Sequence, residues 1–268
     1  MISRYDVTLN GTSLSAINES ILITDIRYNA AKFSDETYNV SKRHGSRIWR
    51  RMFKSASVKI EFAIRAYSTS ERQSVCAAII NWAKDGGELR CNDRPGQRLR
   101  CVCTEFPYVD SVRGWTDTLS ITFTAYALPF WEEAVPVTAS LTSDNNNKYA
   151  NLYIPGNIDY ALVEATVTTA EAFTTSDSII FGTMTFPEPY TDFTTMTLTG
   201  KALASSKKVK LSYDDQMVQT IIYNGSTSMI PYRTGDTDLL VPCGKTFRLK
   251  YKSTGESTVE YSVRGLWL

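Results

Sequence analysis

The chain contains a single histidine, His44, and this limits the nucleophilic chemistry available to it. Any Ser-His or Cys-His pair would have to use His44, because a serine or cysteine nucleophile needs an adjacent base. His44 lies in a run of basic residues, and positive neighbours disfavour the protonated form of an imidazole. No catalytic motif surrounds it. The sequence therefore indicates a loop residue and points to no catalytic group.

The cysteines and carboxylates form no recognisable metal or cofactor motif. Cys101 and Cys103, with a distant Cys91, match none of the paired spacings that hold zinc. The aspartate pairs near positions 214 and 236 lack the alternating oxygen ligands of a calcium loop. No glycine-rich phosphate loop is present, and no pair of carboxylates is singled out for glycoside hydrolysis. The sequence predicts no enzyme activity, no cofactor and no metal.

The main charge feature is the segment from Lys42 to Lys54, which contains no acidic residue. Arginine binds both carboxylates and phosphates, and arginine and aromatic residues are enriched at protein interfaces. Three interpretations are open: contact with another subunit, contact with nucleic-acid phosphates, or a solvated loop. For subunit contact, the candidate residues are Arg43, His44, Arg47, Trp49, Arg50 and Arg51. The net charge of +1 gives no global attraction to nucleic acid or to an anionic membrane.

Length and composition allow substantial hydrophobic cores. The 268 residues are 43% hydrophobic and 21% charged, enough for one large β domain or two ordinary ones. Five cysteines, an odd number in a long chain, favour reduced thiols. There is no signal-peptide pattern and no apolar run of about 18 residues. We expect a soluble protein made in the cytoplasm, without a membrane partner.

The first half has the alternation of antiparallel strands. Residues 57–66 and 118–126 place apolar side chains on one face with a period of two. The turn dipeptide Asn10-Gly11 predicts an opening hairpin between strands near residues 5–9 and 21–28. An antiparallel sheet with one buried face follows from these patterns.

One helix is predicted to cover that sheet. Ser70 and Gln73 have capping-box spacing, apolar residues recur at helical intervals, and a glycine pair stops the pattern, so we place the helix over residues 71–84. Residues 31–54 are predicted to form a long excursion, because Gly45 interrupts them. The first 133 residues are therefore expected to be an α+β domain dominated by antiparallel sheet.

Pro129 ends the strand at 118–126, since proline cannot donate to a sheet ladder. Phe130 and Trp131 follow it, and we interpret them as anchors at the junction of two domains. Residues 134–268 form many short Thr-rich strands separated by glycine and asparagine turns, a pattern typical of a β-sandwich. The asparagine run within Ser143–Lys148 predicts a loop or linker.

Several features in order along the chain resemble the distal tail protein family of long-tailed bacteriophages. They are the opening Val-Thr-Leu-Asn-Gly hairpin, Arg43-His44-Gly45-Ser46 before the strand at Val58–Ala66, the helix before Leu89-Arg90-Cys91-Asn92-Asp93-Arg94-Pro95, the closing Leu128-Pro129-Phe130-Trp131, Tyr153-Ile154-Pro155-Gly156-Asn157, and Val263-Arg264-Gly265-Leu266-Trp267-Leu268. The excursion departs from the family pattern, since it is more cationic and less rich in glycine. The resemblance covers essentially the whole chain.

The resemblance implies a mainly β protein of two domains. Residues 1–133 are expected to be a tail-tube-like domain whose loop at about 31–54 forms a belt around a homo-hexameric ring, and residues 134–268 a galectin-like β-sandwich. The implied partners are other copies of the chain, the tail tube protein, the tail-tip protein and receptor-binding or baseplate proteins, without a specific nucleic acid. The implied location is the tail tip of the virion.

An alternative function is a carbohydrate-binding adhesion module in the second half. Exposed tyrosines could stack on sugar rings, with Tyr153, Tyr190, Tyr223 and Tyr232 as candidates. The galectin sugar site resembles a cluster that includes histidine and tryptophan. Residues 134–268 contain no histidine and only Trp267, so the galectin-like architecture does not by itself imply sugar binding. A cell-wall hydrolase is a third hypothesis, which rests only on the phage context.

Overall fold

The computed structural model describes residues 5–39, 46–66, 68–107, 119–126, 128–214 and 217–268, with the backbone alone for residues 37–39 and 46–51. Contacts divide the chain into two compact units. The first unit runs to Glu132 and includes Leu268, and the second is Glu133–Trp267. Each unit has its own buried core.

The first unit consists of short strands and two helices. Its elements are β1 (Val7–Leu9), β2 (Thr12–Ser13), α1 (Leu14–Ile17), β3 (Ile21–Asn29), β4 (Phe33–Asn39), β5 (Ser46–Phe53), β6 (Ser57–Ile64), α2 (Thr69–Ala83), β7 (Gly87–Cys91), β8 (Gln97–Glu105), β9 (Leu119–Ala125) and β10 (Trp131–Glu133). Seven strands pair in the order β2-β1-β7-β8-β9-β6-β3, and β10 pairs with β8. Strands β4 and β5 form a separate two-stranded sheet.

Strands β6 and β9 form a long antiparallel pair within this sheet. Val58 lies opposite Phe123 and Ile60 opposite Ile121, and all four side chains are fully buried. Burying each side chain of this size contributes about 1.5–3 kcal/mol. The alternation predicted from sequence is confirmed, because a period of two places these residues on the covered face.

Helix α2 covers the sheet, as predicted. Its buried residues include Val75, Ile79 and Ala83, and the indole of Trp82 packs edge-on against Phe123 of β9, with ring centroids 5.8 Å apart. The predicted cap at Ser70 is wrong. Ser68 is the N-cap, and its hydroxyl accepts a hydrogen bond from the Glu71 amide at 3.1 Å. The helix therefore begins two residues earlier than predicted.

Two details of the predicted first half differ from the structure. The Asn10-Gly11 turn does form a hairpin, but it pairs β1 with β2, while β3 pairs with β6. The hairpin is short because Ser13 caps helix α1, its hydroxyl accepting from the Ser15 amide. The excursion at 31–54 is largely a β-hairpin of β4 and β5, which the sequence analysis did not anticipate.

The regular secondary structure of the second unit consists almost entirely of strands. Its elements are β11 (Val137–Ser143), β12 (Lys148–Ile154), β13 (Ala161–Thr169), β14 (Ser178–Met184), β15 (Asp192–Thr199), β16 (Lys208–Tyr213), β17 (Gln219–Tyr223), β18 (Thr227–Ser228), a 3-10 helix (Ile230–Tyr232), β19 (Arg233–Gly235), β20 (Leu240–Val241), β21 (Lys245–Ser253), β22 (Ser257–Val263) and β23 (Leu266–Trp267). One sheet has the order β11-β22-β13-β16-β17-β18, and the other has the order β12-β21-β14-β15-β19.

The two sheets of the second unit pack face to face. Phe181 of β14 and Tyr261 of β22 meet with ring centroids 6.4 Å apart, and both side chains are buried. The Tyr261 hydroxyl donates to the Lys250 carbonyl across the core at 2.8 Å, so its polar group is satisfied. Burial raises the pKa of Tyr261 well above its ordinary value. The predicted fold class, mainly β with an α+β first half and a sandwich in the second, is confirmed.

Candidate assembly surfaces

The predicted contact residues fall on and next to the β4–β5 hairpin. Arg43 and His44 lie outside the described residues. Arg47, Trp49, Arg50 and Arg51 lie on β5, where the backbone register places Arg50 opposite Glu36 and Arg51 opposite Asp35. The backbone of the basic segment therefore pairs with a strand that carries acidic residues. The partner strand β4 is not visible in the composition of the basic segment, because pairing of the two strands is a contact between separate segments.

The base of the hairpin is fixed by aromatic contacts. The ring of Phe53 lies between Phe33, at 4.4 Å between centroids, and Phe130, at 4.9 Å. The Lys54 amide donates to the Lys32 carbonyl at 2.7 Å and closes the hairpin. Phe130 is only 8% exposed, so it connects the hairpin to the core of the first unit. The contact with Phe53 was not predicted from the sequence, and the role of Phe130 at a domain junction stays a prediction.

Trp131 packs against residues of the same unit. Its ring is 2% exposed and meets Tyr28 edge-on, with centroids 5.7 Å apart. The Arg94 guanidinium lies over both rings, at 4.3 Å from Tyr28 and 5.1 Å from Trp131. The Tyr28 hydroxyl donates to Asp93, and burial together with this hydrogen bond raises the pKa of Tyr28. The role of Trp131 at the domain junction stays a prediction.

A network of charged residues holds β10 against β8. The carboxylate of Glu132 accepts hydrogen bonds from Arg98 at 3.0 Å and from Arg100 at 2.9 Å, with only 3% of its side chain exposed. Arg98 also reaches Glu88 at 2.6 Å, and Glu88 accepts from Arg90. A buried carboxylate is tolerated when it is paired in this way. The sequence signal for this network is the alternate spacing of Arg98 and Arg100, which places both on one face of a strand.

The tyrosines considered for sugar stacking occupy different places. Tyr153 lies on β12 and is 59% exposed, and the ring of Tyr190 lies against the guanidinium of Arg248 at 3.6 Å. The Tyr223 hydroxyl accepts from the Ala204 amide at 2.7 Å, which is a structural contact. Tyr232 lies 5.7 Å from the ammonium of Lys201. Tyr153 and Tyr190 are thus the two candidates next to the β12-β21 sheet.

Solved structures place this architecture among known folds. The chain matches the crystal structure of the Dit protein of phage SPP1 with a TM-score of 0.66 and 9% sequence identity, over 96% of this chain and 98% of Dit. The chain has the Dit fold. The resemblance predicted from the sequence is confirmed for the fold. That structure is described as a paradigm of the hub adsorption apparatus in phages that infect Gram-positive bacteria.

Two further solved structures match this chain with lower TM-scores. Baseplate structures of phage P2 in an activated conformation, with Ca and with Sr, match with a TM-score of 0.45 and 9% and 10% identity. These matches cover 94% and 95% of this chain and 98% and 100% of the matched chains, but their TM-scores are too low to support an argument. No family model matches the sequence, and no curated protein matches it. At 9% identity, this chain shares the fold of Dit, and the likeness assigns no role to any single residue.

The part of the chain that the structure describes offers no arrangement for metal binding. There, no three His, Cys, Asp or Glu residues come together in a way that could hold a metal ion. The five cysteines are free thiols, and burial raises the pKa of Cys91 to about 12. Among the residues that the structure describes, no helix is both long enough and apolar enough to cross a membrane.

Proposed function

We propose that this protein is the distal tail hub of a bacteriophage or prophage. It forms a homo-hexameric ring at the tail tip of the virion and joins the tail tube to the tail-tip protein and to receptor-binding or baseplate proteins. Its role is structural rather than enzymatic. The observation that carries the proposal is the match to SPP1 Dit over nearly the full length of both chains. A match of this extent includes both compact units rather than one common module.

In this proposal the first unit closes the ring. A cyclic ring uses heterologous contacts, in which one patch of a subunit meets a different patch of the next. The β4–β5 hairpin is suited to such a contact, because it is a separate two-stranded sheet. Phe33 is 56% exposed on it and Met52 is 37% exposed, next to the arginines of β5. Aromatic, methionine and arginine side chains are enriched at protein interfaces. The hairpin is thus the proposed belt.

The second unit is proposed to face outwards and carry the peripheral proteins. Residues 1–133 then form the ring domain and residues 134–268 the projecting galectin-like domain. The other interpretations of the basic segment, a solvated loop or a contact with nucleic acid, predict a subunit whose assembly does not depend on the hairpin arginines. This difference makes the proposal testable.

The test is the oligomeric state of the full chain. Size exclusion with light scattering is expected to give a mass of six subunits, and negative-stain electron microscopy to show rings. Replacing Arg47, Arg50 and Arg51 with serine is expected to shift the protein towards monomer. A matched control replaces the exposed lysines Lys207, Lys208 and Lys210 of the second unit and leaves the ring intact. A strict monomer at every concentration, with no rings in the images, contradicts the hub. Unchanged assembly of the arginine variant contradicts the belt.

A further inference from the structure

One face of the second unit differs from the other surfaces of the sandwich. Along β12, Tyr149, Asn151 and Tyr153 are all exposed, because alternate residues of a strand point to the same side. The register places Lys250 of β21 opposite Tyr149, and Arg248 opposite Asn151. Their neighbours on β21 are buried in the core, so these side chains also face outwards. The outer face of this sheet thus combines aromatic rings with polar and cationic groups.

Arg248 is held in a fixed orientation on this face. Its Nε donates to the Asn151 side-chain oxygen at 2.9 Å. The guanidinium lies 3.6 Å from the ring centroid of Tyr190 and 5.4 Å from that of Tyr149. Its terminal nitrogens have no partner among the residues that the structure describes. A planar guanidinium with an open edge suits bidentate binding of an oxyanion.

The loop that supplies Tyr190 is itself held in place. The Thr185 amide donates to the Thr191 carbonyl at 3.0 Å, and the Thr185 hydroxyl donates to the Pro189 carbonyl at 3.1 Å. The Thr191 amide donates back to the Thr185 hydroxyl at 3.0 Å. The ring that supports Arg248 therefore sits on an ordered connection between β14 and β15. Such preorganisation lowers the entropic cost of binding a ligand.

Two outward cations of β21, Arg248 and Lys252, have no acidic partner among the described residues, and Arg248 is the one that neighbouring groups hold in position. The ammonium of Lys250 reaches Asp192 at 3.3 Å, so its charge is balanced locally. Arg248 instead uses neutral partners, an amide oxygen and aromatic rings. By contrast, Arg98 in the first unit is occupied by Glu88 and Glu132. A single open guanidinium complements one planar, singly charged group such as a carboxylate more closely than a phosphate monoester, which carries nearly twice the charge.

The exposed rings indicate the rest of the ligand. Tyr149 is 44% exposed and Tyr153 is 59% exposed. They lie four residues apart on one strand, which places them about 13 Å from each other. The outward side chain between them is the polar Asn151, whereas the centre of a stable protein interface is apolar and fully buried. The pattern fits an extended polar ligand that presents ring faces to tyrosine and hydrogen-bonding groups to its neighbours.

The opposite sheet serves as an internal comparison. Its central strands direct Thr166 on β13, Glu260 on β22 and Lys210 on β16 outwards, with no aromatic ring among the outward residues of these strands. That surface is ordinary for a solvated sheet. The aromatic and guanidinium arrangement is specific to the face that carries β12 and β21.

We propose that this face binds an extended acidic glycan. Arg248 holds a carboxylate of the glycan, while Tyr149 and Tyr153 stack on sugar rings to either side. The terminal N–H groups of Arg248 donate to the two carboxylate oxygens, and Asn151 and Tyr190 keep the guanidinium in position. No covalent step is involved. The proposal is independent of ring formation, because all of these residues lie in the second unit.

The test is calorimetric titration of the full chain with tetragalacturonate, maltotetraose, tetraglutamate and a glycerol-phosphate oligomer. Tetragalacturonate is expected to bind most tightly. Arg248→Gln is expected to weaken its binding by about tenfold or more, since a hydrogen-bonded charged contact is lost. Arg248→Lys keeps the charge without the planar fork and is also expected to weaken binding. Tyr149→Ala removes one of the two stacking rings and is also expected to weaken binding. Lys210→Gln removes a charge from the opposite face and is expected to bind as the natural protein does.

Several outcomes overturn the proposal. One is no detectable binding of tetragalacturonate, and another is equal binding by the natural protein and Arg248→Gln. Equal affinity for maltotetraose removes the role of the carboxylate. Affinity for tetraglutamate or the glycerol-phosphate oligomer that equals or exceeds that for tetragalacturonate shows that the face recognises an acidic peptide or a phosphate polymer instead. Each variant is first checked for an unchanged melting temperature, so that loss of binding is separated from loss of folding.

Discussion

The ring of Phe53 meets the ring of Phe130 edge-on, with centroids 4.9 Å apart. This contact joins the last residue of the β4–β5 hairpin to a buried residue that follows the closing strand of the sheet. Edge-on aromatic pairs contribute about 0.5–1.5 kcal/mol beyond the area they bury. The hairpin is therefore attached to its unit by side-chain packing as well as by the chain itself.

Phe130→Ala is expected to destabilise the first unit by about 3–5 kcal/mol, because it leaves a cavity at a buried aromatic position. It is also expected to increase hydrogen exchange at the amide of Lys54, which closes the hairpin. Urea unfolding and hydrogen exchange measure the two effects. Phe33→Ala is the matched control and should cost far less, since Phe33 is 56% exposed. Equal costs for the two variants contradict the anchoring role of Phe130.

Glu132→Gln is expected to destabilise the first unit by about 3 kcal/mol, the lower end of the range for removing one partner of a buried ion pair. The substitution removes the carboxylate that Arg98 and Arg100 share. The lower end applies because both arginines keep some access to solvent. Glu260→Gln, at an exposed position of β22, should change the unfolding free energy by less than about 0.5 kcal/mol. Chemical denaturation of both variants gives the comparison. Similar values for the two would show that the network contributes little.

Acidification is expected to weaken the first unit through Glu88. Burial tends to raise the pKa of Glu88, but hydrogen bonds from Arg90 and Arg98 outweigh it and hold the pKa below its ordinary value. A carboxyl with a depressed folded pKa stabilises the protein fully above the unfolded pKa, and this contribution is lost as the pH falls through the folded pKa. The stability advantage of the natural protein over Glu88→Gln should therefore shrink between about pH 5 and pH 3. A difference in melting temperature that stays constant over this range contradicts the prediction.

Trp131→Ala is expected to destabilise the first unit by about 3–5 kcal/mol, because Tyr28 and Arg94 lose the ring they pack against. Hydrogen exchange should rise in β3, which carries Tyr28. The predicted junction role adds a second effect, faster exchange at the amides of residues 133–135 while the core of the second unit stays protected. Trp131→Phe keeps an aromatic ring and should show a smaller change in both places. Unchanged exchange at the amides of residues 133–135 would remove the junction role.

The sequence predicts those structural features that depend on residues close together in the chain. Val58, Ile60 and Phe62 reveal their strand because burial of one face imposes a local period of two. Helix α2 is likewise visible in the spacing of Val75 and Ile79, although its cap was misplaced by two residues. These signals are contained within single elements, so no knowledge of the fold is needed to find them.

Contacts between distant segments could not be found in the same way. Glu132 meets Arg98 only because β10 returns to β8, and no local pattern encodes that return. Strand β12 has a local signal, since Tyr149, Asn151 and Tyr153 alternate with residues that face inwards, but the neighbouring asparagine run hid it. The position of Tyr190 over Arg248 depends on the path of a loop, which composition does not specify.

The closure of the β4–β5 hairpin at its base has a consequence for how such proteins can diverge. The Lys32–Lys54 hydrogen bond and the Phe53–Phe130 contact both lie at the end of the hairpin nearest the core. Residues added or removed at the opposite end leave these contacts and the register of the seven-stranded sheet untouched. Long surface insertions carry only a small entropic cost. The β4–β5 hairpin can therefore change in length and charge while the contacts that support it at its base are kept.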